Sequence, residues 1–191
     1  MKIRTFVALD PDESAIAELA GVQNKLKHDL LQEGRELRWE NSGKFHMTVF
    51  FVGEVDEELS AGIQNKLQRA AETFSGKCLR FRAKALTAFP KFRYPRVLVV
   101  EFEEVTGGLA ELAGNVADAV SQFGLRQDKP FRPHITLARV RRDSKITLTE
   151  IDKSVPSIEF ETRCLKYYKS TLQPGGSVYK VLAEYPFGCQ N

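Results

Sequence analysis

Two of the chain's three histidines stand in one repeated phrase, His-x-Thr followed by an apolar run: FHMTVFFV around His46 and PHITLARV around His134. A phrase written twice constrains a fold most when the elements around it repeat as well, and here they do. Ile3, Thr5, Val7 and Leu9 alternate against Arg4, Phe6 and Ala8, the period of a strand. Asp10-Pro11-Asp12-Glu13 then has the chemistry of a helix start: an acidic N-cap, proline at the first helical position and a glutamate where a capping box places one. Ile16, Leu19, Ala20, Gln23, Leu26 and Leu30 follow at helical spacing. The strand around His46 comes next, then an amphipathic helix from Glu57 to Phe74 and a strand from Leu79 to Phe89. After the turn-forming FPKFRYPR the order restarts: strand Val97 to Phe102, helix Thr106 to Phe123, and the strand around His134. The spacing predicts a short helix over Thr147 to Ser154. Two closing strands, Ser157 to Lys169 and Val178 to Glu184, flank the turn Gln173-Pro174-Gly175-Gly176.

The repeat lies in the order of elements and not in the letters. It reads as a duplication of strand, helix, His-strand, helix, strand. No Ser/Gly-rich spacer or low-complexity tract divides the copies, so the expectation is a single two-lobed domain over 1–191, with halves at about 1–92 and 93–191.

Within a strand, successive side chains alternate faces. His46 and Thr48 therefore share one face, with Phe45, Met47, Val49 and Phe51 on the other; His134 and Thr136 repeat the pattern against Ile135 and Leu137. Each phrase sets an imidazole beside a hydroxyl, with an apolar anchor behind. If a pseudo-twofold relates the halves, the two polar pairs face one another across a cleft. Opposed imidazoles suit a reaction in which one proton is removed and another delivered, because histidine titrates near neutrality and the two rings can hold different protonation states at one pH. Threonine hydroxyls can hold non-bridging phosphate oxygens. Taken alone, a histidine on a strand is more often a hydrogen-bonded structural residue; the coincidence of two phrases is what points to chemistry. His28 sits late in the first helix among Lys25, Lys27 and Asp29 and is read as a solvated side chain.

Composition narrows the class. There are 28 Lys and Arg against 25 Asp and Glu, an excess of three positive charges, too small for wrapping a long polyanion yet compatible with a small anionic ligand. Cys78, Cys164 and Cys189 are widely spaced and lack any CxxC or Cys/His grouping, which argues against a disulfide framework and against zinc. A reducing cytoplasm is the expected home. The N-terminus has no long apolar stretch of a signal peptide, and no run approaches a membrane span.

The blocks FHMTVFFVGEV and FRPHITLARV resemble the paired His-x-Thr signatures of the two-histidine phosphoesterase superfamily, and most closely its RNA 2',3'-cyclic phosphodiesterases, also called 2'-5' RNA ligases. IRTFVALDP, LRWENSGKFHMTVFFVG, YPRVLVVEF and KSTLQPGGSVYKVL fall in family order and extend the resemblance over nearly the whole chain. The position after Thr48 is Val49, where the family often has leucine. The resemblance implies an α+β, bilobal, pseudo-twofold fold, with antiparallel sheets lining a central groove and helices outside. It also implies opening of a terminal 2',3'-cyclic phosphate on RNA or a nucleotide to a 2'-phosphate, with no metal and no cofactor; a monomer is the default expectation, and the absence of a long apolar run gives no membrane partner. By that analogy His46 is the general acid on the departing 3'-oxygen and His134 the general base on water, with Thr48 and Thr136 on the phosphate.

Arg139 matches an arginine that follows the second signature in relatives and would contact phosphate or base. Strict alternation puts it on the face opposite His134, so it can serve only if the strand twists, bulges or ends there. Trp39, Phe45 and Phe131 each admit two readings, a stacking platform for a base or part of the core; the two phenylalanines are counted among the substrate-binding candidates. Lys44, Lys91, Arg93, Arg96 and Arg132 lie in loops beside the relevant strands. Enzymatic alternatives keep the histidines and change the substrate: ADP-ribose cyclic phosphate, a 2'-5' oligoadenylate, or RNA halves joined by ligation. A non-catalytic RNA or nucleotide binder is the reading from another class.

Overall fold

The alternating N-terminal stretch forms β1 (Lys2–Leu9), and the computed structural model describes residues 1–32, 34, 37–76, 78–127, 131–141, 145–174 and 176–188. Helix α1 (Glu13–Gln32) follows, buried along Ala15, Leu19, Gln23, Leu26 and Leu30. Its cap is Asp12, whose Oδ1 accepts the Ala15 N–H at 2.9 Å. The helix starts two residues later than an Asp10 cap would place it, because tertiary partners claim the Asp10 carboxylate: the Tyr168 hydroxyl donates to it at 2.6 Å and the Lys166 ammonium lies at 3.0 Å.

The chain continues through β2 (Arg38–Trp39), a 3-10 turn over Ser42–Lys44, and β3 (Met47–Asp56). Helix α2 (Glu57–Glu72) is capped by Asp56, which accepts the Leu59 N–H at 2.8 Å. Strands β4 (Leu79–Phe89) and β5 (Val97–Glu104) lead to α3 (Leu109–Ser121). This helix begins later than Thr106 because the Glu104 carboxylate accepts the backbone N–H groups of Thr106, Gly107 and Leu109, and Gly107 has φ 87°. Strands β6 (His134–Arg139), β7 (Glu159–Thr162), β8 (Cys164–Gln173) and β9 (Gly176–Pro186) complete the order.

Two antiparallel sheets result, one ordered β3-β1-β8-β9 and the other β2-β6-β5-β4-β7. In both, a His-strand pairs with the strand that precedes it in its own half, β3 with β1 and β6 with β5. The third strand is exchanged: β4 of the first half joins β5, and β8 of the second half joins β1. The sheets therefore do not follow the sequence halves, and each crosses the division at residues 92–93.

Two expectations fail here. Thr147 to Ser154 forms no helix: Leu148 is fully buried, its N–H donates to the Phe92 carbonyl at 2.8 Å, and Asp152 turns back to accept the Ser154 N–H, so the segment is spent on anchoring rather than on an i to i+4 ladder. The single strand expected over Ser157 to Lys169 is two strands in different sheets, broken at Arg163. Of the four expected turn residues, Gln173 closes β8 and Gly176 opens β9, while Gly175 lies outside the described residues, as does Cys189.

One contiguous apolar cluster spans both sheets and all three helices, from Val7 and Leu9 through Met47, Ile63 and Leu67 to Leu98, Ile135 and Tyr167. Gln23 is a buried polar residue beside this cluster. Although only 8% exposed, its amide donates to the carbonyls of Glu40 at 2.8 Å and Leu137 at 2.9 Å, tying α1 to the chain beyond β2 and to β6. The two sheets approach each other through β3 and β6, the strands that carry the two phrases. No described helix is long and apolar enough to cross a membrane.

Candidate active site

His46, immediately before β3, and His134, the first residue of β6, line one cavity of 420 Å³, together with Thr48, Thr136 and Arg139. The volume falls within the range of small-ligand pockets. Alternation accounts for the His/Thr pairs, as the sequence reading expects. Arg139 needs more. Opposite β6, Leu98 pairs with Ala138 and Val99 with Thr136, so Leu137 is an extra residue. That bulge shifts the phase by one and brings Arg139 to the face of His134.

The same device acts on β3, where Val7 pairs with Phe50 and Ala8 with Thr48, leaving Val49 extra. Phe50 then turns into the core, and Phe51, expected on the core face, lines the cavity and is 59% exposed. Phe45, by contrast, is 4% exposed and belongs to the core, so it is corrected from a binding candidate to an anchor behind His46. Phe131 also packs against the core and is not among the cavity-lining residues. Trp39 is half-buried core.

The two imidazoles are held alike. Nδ1 of His46 lies 2.7 Å from the Lys44 carbonyl, and Nδ1 of His134 lies 2.6 Å from the Arg132 carbonyl. A carbonyl can only accept, so each Nδ1 must carry the hydrogen, and in the neutral ring Nε2 is the basic atom. Burial pushes both rings below the ordinary imidazole value of 6.5. The carbonyl bonds and nearby carboxylates oppose the shift, Asp10 and Glu40 at His46 and Glu101 at His134, and Arg139 adds to it at both.

The walls differ. The His46 ring sits 4.9 Å from Phe6 and 5.2 Å from Tyr179, and Phe6 in turn stacks on Tyr168 at 5.1 Å. The His134 ring meets the edge of Phe89 at 5.2 Å, and the Arg132 guanidinium caps that phenyl at 4.7 Å while pairing with Glu101. Neither threonine hydroxyl has a protein hydrogen-bond partner among the described residues, so both remain available to a ligand. Arg139 pairs with Glu40 at 2.7 Å.

Of the loop cations proposed from sequence, none lines the cavity. Lys44 donates to the Ser177 carbonyl at 2.8 Å, Lys91 and Arg93 lie against the Tyr94 ring, and Arg132 is engaged as above. The arginines that do line it are Arg4, Arg38 and Arg139. Arg4 and Arg38, like Phe6, Phe51, Leu172 and Tyr179, fall within the blocks that carry the family resemblance, but strand alternation around the two histidines assigns none of them to the site. Phe51, one bulge away from His46 and Thr48, had the only signal, the run of four apolar residues that strict alternation does not explain. No group of three His, Cys, Asp or Glu that could hold a metal ion occurs among the described residues, and His28 is exposed.

The model of the LigT-like phosphoesterase family matches the chain over residues 9–99 and 100–179, and each span contains one of the two His-x-Thr phrases. A curated relative from Thermotoga maritima, an RNA 2',3'-cyclic phosphodiesterase, is 33% identical over 97% of this chain and 96% of its own length. One of the same description from Methanocaldococcus jannaschii is 30% identical over 96% of this chain and 100% of its own. Among solved structures, a Thermus thermophilus protein superposes with a TM-score of 0.82 at 26% identity, covering 99% of this chain and 100% of that one. Escherichia coli LigT complexed with 3'-AMP superposes with a TM-score of 0.76 at 21% identity, covering 98% and 99%, and supports the fold.

Proposed function

The chain belongs to the LigT-like phosphoesterase family, and from that membership we propose that it opens the 2',3'-cyclic phosphate of an RNA end or nucleotide to leave a 2'-phosphate. The observation that carries the reading is the matched pair of imidazoles on one cavity, each with Nδ1–H committed to the carbonyl two residues earlier and Nε2 left for the reaction.

In this reading a neutral His134 takes a proton from water through Nε2 as the water oxygen bonds to phosphorus. The P–O3' bond breaks, and a protonated His46 delivers its Nε2 proton to the departing 3'-oxygen. One proton is taken up and one released, so the pair returns to its starting state after the two rings re-equilibrate with solvent. The assignment of acid to His46 and base to His134 follows the family resemblance, since the two rings are held alike. Thr48 and Thr136 donate to the non-bridging oxygens, whose charge grows as phosphorus becomes five-coordinate, and the Arg139 guanidinium offsets that charge. No metal ion is needed for either proton transfer. Ligation is the same step with a ribose hydroxyl in place of water, forming a 2'-5' linkage.

The test is incubation of the purified protein with adenosine 2',3'-cyclic phosphate in excess chelator, with product identified as the 2'- or 3'-phosphate. The expected product is the 2'-phosphate. His46→Ala and His134→Ala should each lower kcat by about 10²- to 10⁴-fold, the usual contribution of a proton-transfer group, while leaving the protein folded. Turnover that survives both substitutions, or that disappears with the chelator, defeats the reading.

A further inference from the structure

The cavity holds more positive charge than one cyclic phosphate requires. A 2',3'-cyclic phosphate diester carries a single negative charge, and Arg139 with two threonine hydroxyls already faces it. Arg4 and Arg38 line the same cavity from different sheets, Arg4 on β1 and Arg38 on β2. Arg139, the third arginine of the cavity, is paired with Glu40, and outside it Arg80 pairs with Glu161, Arg82 with Glu159 and Arg132 with Glu101. Arg4 and Arg38 have no ion-pair partner among the described residues. Glu54 is the cross-strand neighbour of Arg4 on β3 but forms no ion pair with it. The Arg38 guanidinium lies against Gly176, at the start of β9, where a Cβ would come within 2.5 Å of it; the glycine, with φ 126°, leaves the space that the guanidinium uses.

Beside these two cations lies apolar surface. Phe51 is 59% exposed and Leu172 is 71% exposed, and both line the cavity. Leaving a phenyl in water at this place is the direct result of the β3 bulge, which also brings Thr48 and Phe51 to one face. An aromatic face beside unpaired guanidinium groups is the arrangement by which proteins hold a single-stranded nucleic acid, the ring stacking on a base and the cations following the backbone.

We propose that Arg4, Arg38 and Phe51 form a neighbouring-nucleotide subsite, binding the phosphodiester and base on the 5' side of the terminal nucleotide, so that the preferred substrate is an RNA end rather than a free cyclic nucleotide. The proposal rests on the cyclic phosphodiesterase reading above and adds to it the length of substrate that the site reads. The 5'-linked phosphate is the next anion along the chain from the reacting one, and the guanidinium groups meet it in charge-assisted hydrogen bonds.

The experiment compares kcat/KM for three substrates: adenosine 2',3'-cyclic phosphate, the same nucleotide carrying a 5'-phosphate, and the dinucleotide ApA ending in the cyclic phosphate. The dinucleotide should exceed the mononucleotide by about tenfold or more, the effect of one charge-assisted hydrogen bond. The 5'-phosphorylated nucleotide should capture only part of that gain. In the Arg4→Gln, Arg38→Gln double variant the dinucleotide-to-mononucleotide ratio should fall towards one, and in Phe51→Ala the dinucleotide should lose its advantage over the 5'-phosphorylated nucleotide. All three residues are exposed, so urea midpoints should stay at the wild-type value; with the wild-type protein alone, added salt should depress the dinucleotide rate more steeply than the mononucleotide rate. Equal rates for mononucleotide and dinucleotide overturn the subsite and leave the chemistry standing. Equal gains from the 5'-phosphate and the dinucleotide overturn the RNA assignment in favour of a terminal phosphate. Turnover of none of the three defeats the underlying reading instead.

Discussion

Replacing Gln23 by methionine tests how α1 is fastened to the β2–β6 edge of the sheet that carries His134. The side chain keeps its length and loses both N–H groups, which now donate to the carbonyls of Glu40 and Leu137. Gln23 is 8% exposed, so water does not replace what is lost. Two neutral hydrogen bonds at about 1 kcal/mol each give a loss of about 2 kcal/mol. The Leu137 carbonyl keeps the Glu40 N–H at 2.9 Å, so the greater part of the cost falls on the Glu40 carbonyl. For a chain of this size about 2 kcal/mol corresponds to a fall in Tm of about 4–8 °C. Urea unfolding should show a lower midpoint at unchanged slope, and calorimetry the matching fall in Tm. A change below about 0.5 kcal/mol would mean that the amide bridge is replaced at no cost and would refute the reasoning.

The depressed imidazoles predict a pH profile. An acid–base pair is competent when one ring is protonated and the other neutral, a population that peaks between their two titrations, and burial places both below 6.5 in the free protein. The kcat/KM of a cyclic nucleotide should therefore peak below pH 6.5, while kcat should peak higher because a bound phosphate anion favours the imidazolium; a kcat/KM optimum above pH 7 would contradict this. In stability the unfolded rings bind protons more readily than the folded ones, so the two histidines' contribution is present above 6.5 and is lost as pH falls through their lowered folded values, visible as a falling Tm. Leu148→Ala should cost about 2–5 kcal/mol in urea unfolding, because Leu148 is fully buried; a cost below about 1 kcal/mol would place the 145–151 segment outside the core.

The strands and helices whose apolar spacing is regular were legible from composition and period alone: β1, α1, α2, β4 and β5 lie close to where Ile3 to Leu9, Ile16 to Leu30 and their counterparts put them. The pairing of each histidine with its threonine on one face was legible too, because two residues of strand depend only on local backbone geometry. Segments that ended in tertiary contacts were not. Thr147 to Ser154 has helical spacing but is pinned at Phe92, and nothing between Ser157 and Lys169 marks Arg163 as the point where the chain leaves one sheet for the other.

The amino-acid order alone determined that two imidazole–hydroxyl pairs exist and that each has an apolar anchor behind it, since alternation within a strand is a property of the backbone. Only the tertiary structure decided which further side chains reach them. A one-residue bulge reverses the phase of the strand up to the next irregularity: Leu137 brings Arg139 round to His134, and Val49 sends Phe50 inward and Phe51 into the cavity. The exchange of β4 and β8 between the sheets adds Ser170, Leu172, Ser177 and Tyr179 to a site whose two phrases lie far from them in the chain. Bulges and strand exchange are settled by how strands register against their neighbours, a long-range competition of packing and hydrogen bonds that no short stretch of sequence encodes.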